Sequence, residues 1–323
     1  MPRVSVIVPL YNKAPWVRRA LDSIAAQSFA DFEAIVVDDG STDGSAELAA
    51  AYSDARFRLV CQRNAGPGAA RNRGLAEAAG VYAAFLDADD EWLPGFLEAA
   101  VSALDGPGRE AATWTCAYFE CPPGRSTEAM WRRRGIAEGV HRVSAETPPR
   151  WLVHALAFMS PCTTVARAAA LRKWGGFYDR GRCRYAEDAF LWLKILLNEA
   201  AMFAPTPRVR IHRDAAGLSH RDAGARPLEP FLEDPGAIRA ACPQECRPLL
   251  GNFLAIRAFK TACVWGYWGE WRRARSLRER FRTAGDWRLA FWWGSLVCST
   301  PIGAALGAGH RRAKFLIHAK SWR

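Results

Sequence analysis

Two hydrophobic periods share the first hundred residues. Short runs dense in Val and Ile, such as Val4-Ser5-Val6-Ile7-Val8 and the stretch 32–38, have the length and composition of buried strands. Longer segments with apolar residues at helical spacing lie between them. The pattern predicts strands at 4–8, 32–38, 57–62 and 82–86 and helices at 16–27, 45–52 and 68–79. Asn12 and Pro15 read as the N-cap and early-turn proline of the first helix. Strands spaced by helices of 8 to 12 residues build a parallel, doubly wound α/β sheet. Helical spacing returns at 189–197, with Phe190, Leu191, Lys194 and Leu197, and at 253–267. The stretch 289–309 carries no charge and approaches the ~20 residues of a membrane-spanning helix. Pro301 and several glycines interrupt it, which favours an interfacial hairpin over a span. The alternative is a helical subdomain packed within the protein.

Composition adds a frame. A chain of 323 residues, 50% hydrophobic and 24% charged, holds one large domain or two modest ones with ample core. The first residues run straight into a strand pattern and read as lacking a secretory signal. Nine scattered cysteines without a Cys-x-x-Cys pair suit a reducing compartment, where cysteine serves as a small core residue. Charge is uneven: from Gly236 onward there are 16 Lys and Arg against 4 Asp and Glu, a net of +12, while residues 1–235 net −1. A basic C-terminal third points to an anionic partner surface. Trp287, Trp292, Trp293 and Trp322 near arginines suit a lipid headgroup region. No nucleic-acid-binding motif accompanies the basic residues, so nucleic acid is not an expected partner.

The candidate chemistry gathers at strand ends. In open α/β sheets ligands bind at the carboxyl ends of the strands. There the chain places Pro9-Leu10-Tyr11-Asn12, Asp38-Asp39-Gly40-Ser41-Thr42-Asp43, and Asp87-Ala88-Asp89-Asp90, with Asn64 to Asn72 between the third and fourth strands. Three carboxyls within four residues repel unless a cation lies among them, and Mg²⁺ or Mn²⁺ is held by one or two carboxylates plus phosphate oxygens. A solvated acidic turn is the plainer alternative. Asp39 suits a base N–H or ribose hydroxyls or, more simply, a turn. Tyr11 suits packing on a base, and Arg71 suits charge balance or a surface ion pair. Neither Gly-x-Gly-x-x-Gly nor a Walker lysine loop follows the first strand, which argues against a dinucleotide oxidoreductase or P-loop NTPase. Further on, Glu187-Asp188 opens the helix at 189–197, where acids stabilise a helix start by under ~1 kcal/mol or serve chemistry.

These motifs resemble, in order and spacing, those of family 2 glycosyltransferases with the GT-A fold. The carriers are Val4 to Asn12, Val36-Val37-Asp38-Asp39-Gly40-Ser41-Thr42-Asp43, Ala70-Arg71-Asn72-Arg73-Gly74 and Phe85-Leu86-Asp87-Ala88-Asp89-Asp90. The likeness is dense over 1–105 and sparser to about 220. It implies a GT-A-type doubly wound mixed sheet, with a nucleotide-sugar half at 1–105, an acceptor and catalytic half at 106–225 and a basic helical extension at 226–323. Pro9, Tyr11, Asp39, Asn64, Arg71 and Asp87 would line the nucleotide site, with uridine the commonest base. Asp87 and Asp89 would form the Asp-x-Asp motif on Mn²⁺ or Mg²⁺, with His212 of Arg210-Ile211-His212 a third metal ligand or phosphate donor. Gly217, Leu218 and Ser219 continue that segment. Glu187 would lie on the acceptor side, and Asp188 matches the general base.

The resemblance further implies inverting transfer of one sugar to a hydroxyl of a sugar or lipid-linked acceptor, in bacterial surface polysaccharide or glycolipid assembly. The setting would be cytoplasmic, at the inner face of the cell membrane. The Gln-x-x-Arg-Trp motif of processive synthases is missing, which favours a distributive enzyme. Tyr178 separates Gly175-Gly176-Phe177 from Asp179, where relatives place the acid next to the phenylalanine. Alternatives from the residues alone are a nucleotidyltransferase, a nucleotide-sugar sensor or a basic adaptor.

Overall fold

The structure, a computed structural model, describes residues 1–215, 225–282, 284 and 289–320, with the side chains of 289–293 and 311–320 excepted. Gly217, Leu218, Ser219, Trp287, Trp322 and the rings of Trp292 and Trp293 lie outside the described residues. Two compact units emerge: Met1–Ser144 with His154–His220, and Ala145–Val153 with Arg221–Arg323.

The first unit is built on ten strands: β1 Val4–Leu10, β2 Phe32–Asp38, β3 Phe57–Cys61, β4 Tyr82–Phe85, β5 Glu91–Trp92, β6 Ala111–Cys121, β7 Arg125–Ser126, β8 Gly139–His141, β9 Thr164–Arg167 and β10 Ala200–His212. The main path runs β3-β2-β1-β4-β9-β6-β10-β5. Strands β3, β2, β1 and β4 are parallel, in register Val4↔Phe32 and Val4↔Tyr82. The sheet is mixed because β9 runs antiparallel to both β4 and β6, while β6 and β10 are parallel. The parallel arrangement expected over the first hundred residues holds for β1 to β4, and β9 completes the mixed sheet that the family resemblance implied. A four-residue strand carries too little periodicity to announce itself, and both its partners are distant in sequence.

Helices α1 Val17–Ala25, α2 Ser45–Ala50, α3 Pro67–Glu77, α4 Phe96–Asp105, α5 Glu128–Arg133, α6 Pro149–Phe158, α7 Ala168–Lys173 and α8 Glu187–Asn198 follow the expected spans within a few residues wherever a span was expected, but Trp16, and not Asn12, caps α1, and Pro15 precedes the helix. Side chains alternate across a strand. On β2, Ala34 and Val36 join the core formed with Val17, Leu21 and Ile24 of α1 and Phe96, Leu97 and Leu104 of α4. Ile35 and Val37 point the other way, to Ala70. Strands buried on both faces read as near-continuous Val and Ile runs, which is why β1 and β2 were legible.

The second unit is helical: α9 Pro230–Glu233, α10 Pro235–Ala241, α11 Arg247–Tyr267, α12 Trp271–Arg280, α13 Leu289–Cys298 and α14 Pro301–Lys320. The uncharged stretch 289–309 is thus two helices broken before Pro301, with the Thr300 hydroxyl accepting from the Gly303 N–H at 3.2 Å. Glu229, almost fully buried, accepts from Arg257 Nη2 at 2.8 Å and Thr261 Oγ1 at 2.9 Å, so its charge is paired. Among the described residues, no helix is long and apolar enough to cross a membrane.

Candidate active site

The carboxyl ends of β1, β2 and β4 open onto one cavity of about 360 Å³. Pro9, Tyr11, Asp39, Asn64, Arg71, Asp87, Asp89, Glu187, Asp188 and His212 all line it, so every candidate from the sequence lies on one site. Its rim is stitched between the ends of β1 and β2. Asn12, at φ 52, accepts from the Thr42 N–H at 2.8 Å, and the Ala14 N–H donates to Asp43 at 3.0 Å. Asp39 is buried and accepts from Gln62 Nε2 and from the Ala65 and Gly66 N–H groups, each at 2.8 Å. A carboxylate offers about four acceptor positions, so Asp39 first of all shapes the Asn64 loop.

Helix α3 carries the next layer. Arg71 is buried and donates Nη2 to Asp87 at 2.7 Å and Nη1 to Glu187 at 2.8 Å. One guanidinium fork thereby joins the end of β4 to the start of α8, a geometry that a lysine point charge does not match. Beside it, Asn72 accepts from the Phe177 N–H and donates to the Phe177 carbonyl, both at 2.8 Å. The close approach needs Gly68, where a Cβ would meet the Tyr178 carbonyl oxygen at 2.3 Å. Burial alone would disfavour the Arg71 charge, but Asp87 and Glu187 reverse that and hold it protonated.

The acid cluster is differentiated by its neighbours. Burial pushes the Asp87 carboxyl up, but Arg71 overrides it and holds it below the usual range. Asp89 is raised by burial and by Asp87, although the Lys13 ammonium is ion-paired with it. Asp90 is pushed up to about 8 by burial, Asp87 and Asp89. Its Oδ1 accepts from the His212 N–H at 2.9 Å and its Oδ2 from the Cys162 thiol at 3.2 Å. Cys162 is fixed by Trp92 Nε1, which donates to its carbonyl at 2.8 Å. The imidazole of His212 lies 3.4 Å from Glu91, and so reaches the cluster through its backbone.

The donor set suits a hard divalent cation. Ligand atoms of Asp87, Asp90 and Cys162 lie within 4.8 Å of one another. Burial raises the Cys162 thiol far above its ordinary value, which leaves carboxylate oxygens as the ligands of choice for Mg²⁺ or Mn²⁺. A buried carboxyl raised by two acidic neighbours is what a cation would relieve.

Asp188 lines the same cavity from the start of α8. Its carboxyl is pushed up to about 7 by burial and by Glu187, against the pull of Arg71. A carboxylate near neutrality is suited to proton transfer. Lys13, Ser160, Cys162, Tyr185 and Arg213 also line the cavity and were not anticipated. Lys13 directly follows Asn12 and could have been suspected from the strand-end motif. Cys162 and Ser160 come from a segment with no motif.

A mixed sheet with an acidic, cation-suited cavity at its strand ends defines the GT-A class. The crystal structure of S. aureus TarS 1–349 in complex with UDP-GlcNAc is similar in fold, with TM-score 0.68 and 21% identity over 97% of this chain and 92% of that one. The mannosyltransferase PcManGT from Pyrobaculum calidifontis, solved with GDP-Man and Mn²⁺, matches with TM-score 0.55 and 21% identity over 94% of this chain and 86% of that one. The chain belongs to glycosyl transferase family 2, whose family model matches residues 5–175, over half of its length. The uncharacterized glycosyltransferase YibD of Escherichia coli K12 is 45% identical over 98 residues, 30% of this chain and 28% of that protein. Matches to three such relatives span only 17–28% of their lengths.

Proposed function

We propose that this glycosyltransferase moves a single sugar from a UDP-linked donor to an acceptor hydroxyl with inversion, the acceptor being a sugar or lipid-linked sugar. The observation that carries this is that Arg71-held Asp87, Asp89, Asp90 and Asp188 all line one cavity. Pro9, Tyr11, Asp39 and Asn64 would bound the nucleoside side. The UDP-GlcNAc and UDP complexes of TarS support the choice of nucleotide.

Asp188 takes the proton of the acceptor hydroxyl as that oxygen bonds to the anomeric carbon. The bond from that carbon to the diphosphate oxygen breaks on the opposite face, and its electron pair leaves with the nucleoside diphosphate. One displacement of this kind inverts the centre. Glu187, neutralised by Arg71, holds the start of α8 so that Asp188 faces the cavity. Asp87, Asp89 and Asp90, the last held by the His212 backbone N–H, would hold the divalent cation, which when bound supplies charge neutralisation of the departing diphosphate.

The basic second unit supports attachment to an anionic membrane face. Arg272, Arg273 and Arg275 of α12 are exposed, and Ile302 and Leu306 of α14 are 72% and 65% exposed one helical turn apart. Arg278 does not belong to that surface, because it is buried and paired with Glu279 at 2.8 Å. Bacterial polysaccharide or glycolipid assembly at the inner membrane face fits these features.

The test is a donor panel. Release of nucleoside diphosphate is measured across UDP-, GDP- and TDP-sugars with Mn²⁺, Mg²⁺ or chelator. Turnover of a UDP-sugar that stops on chelation supports the reading, and turnover of GDP-sugars alone overturns the choice of nucleotide.

A further inference from the structure

The helical unit holds a second cavity, of about 530 Å³, lined by Arg239, Ala240, Arg247, Leu250, Gly251, Arg280 and Ala284. Three of those seven are arginines, and among the described residues no acidic side chain lines the cavity. Arg239 closes α10, Arg247 opens α11 and Arg280 closes α12, so three separate elements deliver their cations to one place.

Helix stabilisation does not account for all of them. Cations favour helix C-termini, which suits Arg239 and Arg280. Arg247 stands at a helix N-terminus, where the dipole disfavours positive charge. Among the described residues, neither Arg239 nor Arg247 forms an ion pair or side-chain hydrogen bond. Arg280 spends Nη2 on the Glu233 carbonyl at 2.9 Å, which fixes its position. All three arginines are exposed, so water screens their mutual repulsion, and the guanidinium donors of Arg239 and Arg247 are open to an anion that enters the cavity. The wall is also close-fitting: a Cβ on Gly251 would meet the Ala284 carbonyl oxygen at 2.1 Å, so only glycine lets the segment after α12 lie against α11.

We propose that this cavity is a phosphate-binding site, distinct from the donor site, that takes a phosphate or diphosphate ester. Planar forks suit phosphate oxygens bidentately. A volume of about 530 Å³ admits a phosphate with its substituent. The same chemistry is offered by a free phosphorylated compound and by a phospholipid headgroup.

The experiment titrates the full chain with inorganic pyrophosphate by calorimetry in chelating buffer, which keeps any cation-dependent diphosphate binding silent. Two charge-matched double variants are compared, Arg239→Gln/Arg247→Gln in the cavity and Arg272→Gln/Arg275→Gln on the exposed face of α12. Each charge-assisted hydrogen bond lost weakens binding by about tenfold or more. The cavity variant is therefore expected to bind pyrophosphate at least ~100-fold more weakly, with the α12 variant near wild type. Equal loss in both variants, or no binding by the wild type, overturns the site; circular dichroism of both variants excludes misfolding as the cause. Co-sedimentation with phosphatidylglycerol and with phosphatidylcholine vesicles then assigns the source. Loss of phosphatidylglycerol binding in the cavity variant upholds the site as a headgroup pocket. Unchanged vesicle binding beside lost pyrophosphate binding upholds it for a free phosphorylated compound. The inference stands apart from the sugar-transfer reading, since neither arm measures turnover.

Discussion

If Asp188 removes the acceptor proton, its elevated pKa sets the pH dependence of the reaction. The carboxyl is pushed from 3.8 to about 7, first by burial and then by Glu187. A base must be ionised to act. At pH 6 a group with this pKa is ionised to roughly one tenth, and at pH 5 to roughly one hundredth. The value of kcat/KM, which reports the free enzyme, should therefore fall about tenfold per unit below pH 7 and level off above it. An aspartate at 3.8 would instead give a flat profile from pH 5 to 8. The perturbation is Asp188→Asn, which nearly preserves shape but removes the proton acceptor; transfer should fall by roughly 10²–10⁴-fold while donor affinity persists. The assay is nucleoside diphosphate release from pH 5 to 9 at fixed Mn²⁺, beside calorimetric donor binding. A flat wild-type profile would refute the assignment, as would residual activity of Asp188→Asn that keeps the same acid limb.

Further outcomes follow from the same geometry. Asp188 has a folded pKa above its unfolded value, so its contribution to stability is full below the unfolded pKa and is lost as pH climbs through about 7; Asp188→Asn should raise Tm more at pH 8 than at pH 5, and an equal rise at both would contradict this. Arg71→Met strips the cation from buried Glu187 and half-buried Asp87 and should cost about 3–5 kcal/mol in urea unfolding, with Arg71→Lys costing less; a wild-type midpoint for Arg71→Met would show that the clamp is not stabilising. Asp89→Ala should lose most turnover and most cation-dependent nucleotide binding while keeping the fold, and unchanged donor binding with and without chelator would remove Asp89 from the site. Binding to anionic vesicles should weaken but persist in high salt, because Arg272, Arg273 and Arg275 contribute about 1 kcal/mol each and are screened, whereas Ile302 and Leu306 are not; protein left in the supernatant at low salt would end the membrane reading.

The sequence by itself determined strands β1 to β4 and the helices between them. Strands buried on both faces must be apolar throughout, and the polar residues that end them are the ones that reach the sheet edge, so periodicity located the strands and their polar ends, and the family resemblance supplied the site roles. The β2 span 32–38 coincides with its strand, and the helices at 45–52 and 68–79 shift by two residues or fewer at each end. Local chemistry likewise marked Pro301 as a break rather than the middle of a span. Only the tertiary structure decided the rest. The antiparallel β9 is short and pairs only with distant strands, so no local signal marks it. The division of labour among the carboxyls was equally hidden. Asp87, Asp89, Asp90 and Asp188 are one residue type, and their pKa values part because Arg71, Lys13, Cys162 and Glu187 reach them from other segments. Arg71 and Glu187 are 116 positions apart, and Lys13 and Asp89 are 76. Charge pairing across such separations is set by where the sheet brings the chain together, and a linear pattern of residues does not carry that information.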